Sequence, residues 1–278
     1  MVAAYYDIAG CAKNIFYKLK ISKHPSFNIY SNKYIVIKIN IQNVLIQCKN
    51  ITILIEKIKE TLSCNLKKQY GEEFYSEDIN TFLRNISEKI GLYFIFVLDE
   101  WDCILRVYTE NTEWQKEYLD FLRYLFKDYS YIALVYMTGI LPIKKYGTHS
   151  ALNMFNEYSM VNSSVFSEYI GFTEEEVRIL CNKYQRDFFE CKQWYDGYQI
   201  ENFTPIYNPR SVIQYALSGK LNTYWNNTET YEVLKIYITI QKDGLYDAIT
   251  KLLANEAIEI NTSTFTNDMT PFIRWMMF

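Results

Sequence analysis

Apolar residues run unbroken from Tyr93 to Leu98 and stop at two adjacent carboxylates, Asp99 and Glu100. A stretch apolar on both faces reads as a strand covered on both sides, the pattern of a parallel sheet with helical crossovers. The flanking patterns agree. Tyr34 to Asn40 is a β-branched run that predicts a strand, and helical spacing follows around Ile51 to Tyr70. Ser76 is expected to cap a helix that carries Ile79, Phe82, Leu83, Ile86 and Ile90 on one face and stops at Gly91. Thr112 to Lys127 places Trp114, Tyr118, Phe121, Leu122 and Leu125 on one face, and Tyr131 to Thr138 reads as a second buried strand. The first ~20 residues read as the end of a helix, with Val2, Tyr5, Tyr6 and Ala9 at helical spacing and no cap before Val2. Strand, helix, strand, helix, strand predicts α/β architecture.

The pattern changes in the second half. A short extended piece, Val165 to Gly171, leads to Thr173-Glu174-Glu175-Glu176, whose first and last residues form a capping box. Asn208-Pro209 opens a further helix that Gly219 closes. Tyr231 to Ile240 and Leu245 to Leu253 continue the helical spacing. The expected organisation is an α/β core over 1–169 and a smaller helical domain over 170–278.

Composition narrows the classes. An apolar fraction of 49% over 278 residues is enough for a sizeable core and excludes disorder. A net charge of −3 gives no basic footprint for nucleic acid at the level of the whole chain, although a local patch can hide inside such a total. Neither a direct nucleic-acid partner nor a membrane is expected. No stretch approaches the ~20 apolar residues of a span, and Met1 to Ala12 lacks the basic opening and apolar core of a signal peptide. The six cysteines form no C-x-x-C pair and only His24 and His149 could assist them, so reduced thiols in a cytoplasmic protein are expected rather than zinc.

The chemistry concentrates where the first buried strand ends. Two charges there sit at the carboxyl edge of the sheet, where open α/β sheets take their ligands. In nucleotide hydrolases this is the Walker B arrangement: the first acid holds Mg²⁺ and the second orients or deprotonates a water. An acid after a strand is equally a helix cap or turn former, and both readings stand on the pattern alone. Thr138, at the tip of the next strand, could touch a γ-phosphate or the attacking water, or simply begin the turn at Gly139. Asp102 reads as a supporting carboxylate or, more simply, as the cap of the following helix, with Arg106 nearby. Lys144, Lys145 and Arg210 are candidate phosphate partners whose default is a solvated charge. His149-Ser150 lacks a G-x-S-x-G frame, and Cys181 and Cys191 read as core thiols. Trp194-Tyr195-Asp196-Gly197-Tyr198 reads as a packed helix end with a glycine stop. No G-x-x-x-x-G-K-[ST] phosphate loop occurs in the sequence; the single Gly-Lys, Gly219-Lys220, is followed by Leu221.

Several segments together resemble one family. These are Val97-Leu98-Asp99-Glu100-Trp101-Asp102, Met137-Thr138-Gly139-Ile140-Leu141-Pro142-Ile143-Lys144-Lys145-Tyr146-Gly147, Gly171-Phe172-Thr173-Glu174-Glu175-Glu176-Val177, Trp194 to Tyr198, Tyr207-Asn208-Pro209-Arg210-Ser211-Val212, and Tyr224-Trp225 with Thr228 to Tyr231. In this order they resemble the AAA-ATPase-like family of P-loop proteins, members of which often carry a PD-(D/E)XK nuclease-like domain after the ATPase. The resemblance implies a P-loop NTPase sheet of AAA type with a C-terminal helical lid. It also implies ATP and Mg²⁺ as cofactors, with Asp99 as the metal carboxylate, Glu100 as the catalytic base and Thr138 in the sensor position.

The match departs at the start, where Met1 to Tyr6 resembles the helix just after the Walker A lysine. The expectation is therefore an incomplete or degenerate module, with its first strand and phosphate loop upstream of Met1, its nuclease-like domain absent after Phe278, and weak ATP affinity. AAA-type sheets run 5-1-4-3-2, so the missing strand would lie between Val165 to Gly171 and Tyr131 to Thr138. The alternative is a non-enzymatic interaction module that keeps the ATPase fold, with a protein partner or a second copy of itself. Arginine fingers usually come from a neighbouring subunit, so none is assigned.

Overall fold

The computed structural model describes residues 1–140, 152–158, 164–200 and 203–224, with 250, 251, 254 and 256. Contacts divide the chain into two compact units, Met1–Asn156 with Thr266–Phe278, and Glu157–Phe265.

The first unit is built on three parallel strands, β1 (Ile35–Asn40), β2 (Phe94–Asp99) and β3 (Ile132–Thr138), in the order β1-β2-β3. This is the order that the expected sheet gives to its second, third and fourth strands. The central strand is the one whose sequence is apolar on both faces, and Phe94, Ile95, Phe96 and Leu98 are all buried. Around the sheet lie α5 (Ile51–Tyr70), α6 (Ile79–Ile90) and α8 (Thr112–Phe126). In α5 the buried positions Ile51, Leu54, Ile58, Leu62 and Leu66 recur at three or four residues, one stripe facing the core. Gly91 ends α6 at φ +72, a left-handed turn that glycine adopts without strain.

Two local expectations for this unit are corrected. The cap of α6 is Asp78, whose carboxylate accepts from the Thr81 amide at 2.7 Å; Ser76 lies two residues too early and accepts from the Asp78 amide instead. The strand read as buried at Tyr131 to Thr138 is partly open, with Leu134 38% and Tyr136 44% exposed. Among the described residues β3 pairs with β2 alone, so an apolar sequence does not guarantee cover on both sides.

Short helices precede the sheet: α1 (Val2–Tyr6), α2 (Ala12–Phe16), a 3₁₀ turn (Lys20–Lys23) and α3 (Phe27–Tyr30). They close on a small core of Ala12, Phe16 and Phe27 with Ala4 and Tyr5 against it. Asn32, at φ +54, ties this cluster together by accepting from the Ala12 amide and donating to the Asp7 carbonyl.

In the second unit the capping box forms as read, with Thr173 and Glu176 satisfying each other ahead of α9 (Glu174–Lys183). Helices α10 (Phe188–Tyr195) and α11 (Pro209–Ser218) pack with it around Val177, Cys181, Cys191, Tyr207, Val212 and Tyr215. Asn208 caps α11 and Gly219 ends it at φ +69.

The unit is nevertheless not purely helical. It holds an antiparallel sheet of β4 (Phe172–Thr173), β5 (Asp196–Ile200) and β6 (Phe203–Tyr207) in the order β4-β6-β5. The aromatic segment read as a helix end with a glycine stop therefore continues as a strand from Asp196. Pro205 hid β6 in the sequence, since proline argues against a central strand. It is tolerated because β4 is only two residues long and the β5 register shifts beside Pro205, leaving it out of both ladders. The piece read as extended at Val165 to Gly171 is a 3₁₀ turn over Ser164–Tyr169. Extension begins only after Gly171, where an added Cβ would lie 2.5 Å from Ile206 Cγ2. The helical patterns at Tyr231 to Ile240 and at Leu245 to Leu253, apart from Thr250 and Lys251, fall outside the described residues.

Candidate functional site

Parallel pairing puts three polar residues in one row at the carboxyl edge of the first sheet: Asn40 pairs with Asp99, and Asp99 with Thr138. Each ends its strand, so apolar side chains anchor the backbone behind it while its own side chain meets solvent. The Thr138 hydroxyl donates to Asp99 Oδ1 at 2.7 Å and approaches the Leu98 carbonyl at 3.3 Å. Asn40 Nδ2 donates to Asp99 Oδ2 at 3.3 Å, while its Oδ1 caps α4 (Ile41–Leu45) by accepting from the Asn43 amide. Both oxygens of Asp99 are thus oriented from the two neighbouring strands, and the carboxylate remains exposed.

Glu100 sits apart from that row. Its backbone is left-handed at φ +54, a conformation costing a non-glycine residue about 1 kcal/mol. Its carboxylate is held by Arg106 Nη2 from α7 (Cys103–Val107). Arg106 Nε also lies 3.2 Å from Asp102 Oδ2, and that oxygen accepts from the Ile140 amide at 3.0 Å. Asp102 occupies the N-cap position of α7 but makes no side-chain cap bond there, so the simpler of its two readings is corrected. Its fully buried carboxylate instead joins the turn after β2 to the turn after β3. Gly139 permits this approach, since a Cβ there would meet Asp102 Oδ1 at 2.7 Å and the Trp101 ring at 2.8 Å. Trp101 completes the join: its amide donates to the Thr138 carbonyl at 3.2 Å, and its own carbonyl accepts from the buried Tyr118 hydroxyl at 2.8 Å. The neighbouring Cys103 thiol is pushed up to about 12 by burial, which suits a packed thiol and not a nucleophile.

The structure therefore brings Asp99 and Thr138 into direct contact and turns Glu100 toward Arg106. Asn40 was missed by sequence reading; the available signal was an amide at the end of an apolar strand, where it read as a simple boundary. Arg210 is exposed in the second unit. Lys144, Lys145 and the His149-Ser150 pair lie outside the described residues. Among the described residues no group of three or more His, Cys, Asp or Glu side chains could hold a metal ion, so an ion here would rest on Asp99 with ligands from elsewhere. No helix among them is long and apolar enough to cross a membrane. Cys181 and Cys191 are buried and free.

The first unit is of the α/β class, with a three-stranded parallel sheet, and open sheets of this class take ligands outside the carboxyl ends of their strands. The family model described as predicted AAA-ATPase matches residues 1–149, more than half of the chain, and the chain belongs to this AAA-ATPase-like family. No curated protein and no solved structure matches it.

Proposed function

We propose that the first unit is an ATPase-family domain that engages ATP and Mg²⁺ at the row formed by Asn40, Asp99 and Thr138. The observation that supports this reading most is the 2.7 Å hydrogen bond from Thr138 to Asp99 across adjacent strand ends. Mg²⁺ is usually held by one or two carboxylates together with substrate phosphates, and a single exposed, pre-oriented Asp99 fits that requirement. When bound, the ion neutralises charge on the phosphate oxygens. In this reading Asp99 is its ligand, Thr138 contacts the terminal phosphate or the attacking water, and Glu100 orients or deprotonates that water. The 278 residues contain no G-x-x-x-x-G-K-[ST], the usual backbone cradle for phosphates, so weak binding is expected of these residues by themselves.

A second reading, an interaction module that keeps the fold without turnover, is favoured by the Glu100–Arg106 ion pair, which occupies the carboxylate that hydrolysis would need. Calorimetry with ATP and Mg²⁺ separates the two. Binding that Asp99→Ala abolishes, with phosphate release that Glu100→Gln removes, supports the ATPase. A folded protein that takes up no nucleotide supports the interaction module.

A further inference from the structure

The longest acid-free stretch of the described chain lies in its first unit. Between Asp7 and Glu56 there is no Asp or Glu, while seven lysines fall in the same interval, inside a chain of net charge −3. Lys13, Lys18, Lys20, Lys23 and Lys33 are all exposed. Four of them lie on or between α2 and the 3₁₀ turn, and Lys33 follows α3; these elements close on the single small core of Ala12, Phe16 and Phe27. All five therefore lie on the exposed segment that wraps this one small core.

The same segment exposes large apolar side chains among the lysines. Ile15 is 54%, Tyr17 60% and Ile29 62% exposed, and Ile8, Leu19, Ile21 and Tyr30 are exposed as well. Seven large apolar side chains uncovered over so short a stretch exceed the scattered exposure that needs no explanation. Asn32 holds the cluster in place through its bonds to Ala12 and Asp7, so the surface is a formed one.

Charge selects the partner and the apolar side chains select its kind. Lysines with no interspersed acid fit a dense anionic surface. A nucleic acid would use arginine forks on bases and aromatic rings for stacking, whereas this interval has no arginine and seven of its nine exposed large apolar side chains are aliphatic. Aliphatic side chains gain by entering an acyl boundary, lysine stems reach along it to keep their ammonium groups at the headgroups, and tyrosines suit the interface itself. We propose that the α2–α3 face is a peripheral docking site for an anionic lipid bilayer, on which the protein lies without crossing it. This is independent of the nucleotide reading.

Co-sedimentation of the full chain with vesicles of phosphatidylcholine, with and without phosphatidylserine, tests it. Each lysine near such a surface is worth about five-fold in affinity, so exchanging Lys18, Lys20 and Lys23 for Glu is expected to weaken binding at least ~100-fold. Ile15→Asn with Ile29→Asn keeps every charge and is expected to weaken it ~10-fold or more, since each removes an inserted aliphatic side chain. Circular dichroism confirms that both variants fold; the substituted positions are exposed. Binding that requires phosphatidylserine, falls with salt and responds to both variants supports the site. Equal binding to neutral vesicles, no sedimentation at low salt, or binding of a single-stranded oligonucleotide in preference to vesicles overturns it.

Discussion

Asp102 gives the sharpest test of how the two strand-end turns are held together. Asp102→Ala removes the acceptor of the Ile140 amide and the buried anion beside Arg106 at once. A buried or partly buried N–H left without a partner costs about 1–3 kcal/mol. Breaking a buried ion pair by deleting one member costs about 3–5 kcal/mol when both ions are fully buried. Arg106 is 21% exposed and keeps Glu100, which places this site at the lower end of that range. With the lower end of the amide cost added, a total of about 4 kcal/mol follows, or about 8–16 °C in the melting temperature of a unit this size. Asp102→Asn retains an oxygen that can accept from the Ile140 amide and loses only the charge facing Arg106, so about 1 kcal/mol is expected. Equilibrium unfolding in urea, followed by tryptophan fluorescence with the adjacent Trp101 as reporter, measures both variants. An Asp102→Ala protein within ~0.5 kcal/mol of the parent refutes the bridging role. Equal losses for the Ala and Asn variants refute the division between acceptor and charge.

Gly139→Ala should destabilise the first unit by about 1–3 kcal/mol, because its methyl meets Asp102 and Trp101 at 2.7–2.8 Å; a neutral result in the same unfolding assay means the turn relaxes freely. Thr173→Ala should cost the second unit about 1 kcal/mol by opening the capping box, read as a lower thermal midpoint of helical ellipticity; no change means the box adds nothing to packing. Alkaline pH should unfold the protein before arginine chemistry intervenes. Tyr124 and Tyr215 are pushed up to about 12, first by burial and then by hydrogen bonds to Asp78 and Glu190, and burial takes the Cys191 thiol to about 12. Raised folded values mean that these groups contribute stability in full below their unfolded values of 9 to 10 and lose it as pH rises toward 12. Denaturation midpoints measured against pH check this; stability that does not fall between about pH 10 and 12 refutes it.

Local chemistry was legible wherever a short segment carried its own instructions. The Thr173–Glu176 box, the Asn208 cap with Pro209, and the glycine stops at Gly91 and Gly219 involve partners within a few residues, so spacing alone specifies them. The bounds of α5 and the burial of β2 on both faces were legible because periodicity records which face is buried. The sheet in the second unit was not: β4 is two residues long and β6 carries a proline, so neither has a pattern that outweighs its neighbours. The openness of β3 was also hidden, since a strand's sequence states what it can bury and not what lies beside it.

The candidate site divides along the same line. Sequence alone determined that a buried strand ends in Asp99-Glu100 and that another apolar strand ends in Thr138, because these follow from composition along one segment. Only the tertiary structure decided that Asn40, Asp99 and Thr138 share a row, that Arg106 takes Glu100, and that Asp102 spans to Ile140 rather than capping its own helix. These partners lie from a few to nearly a hundred residues apart in the chain, and strand register, which no single segment encodes, brings the most distant of them together.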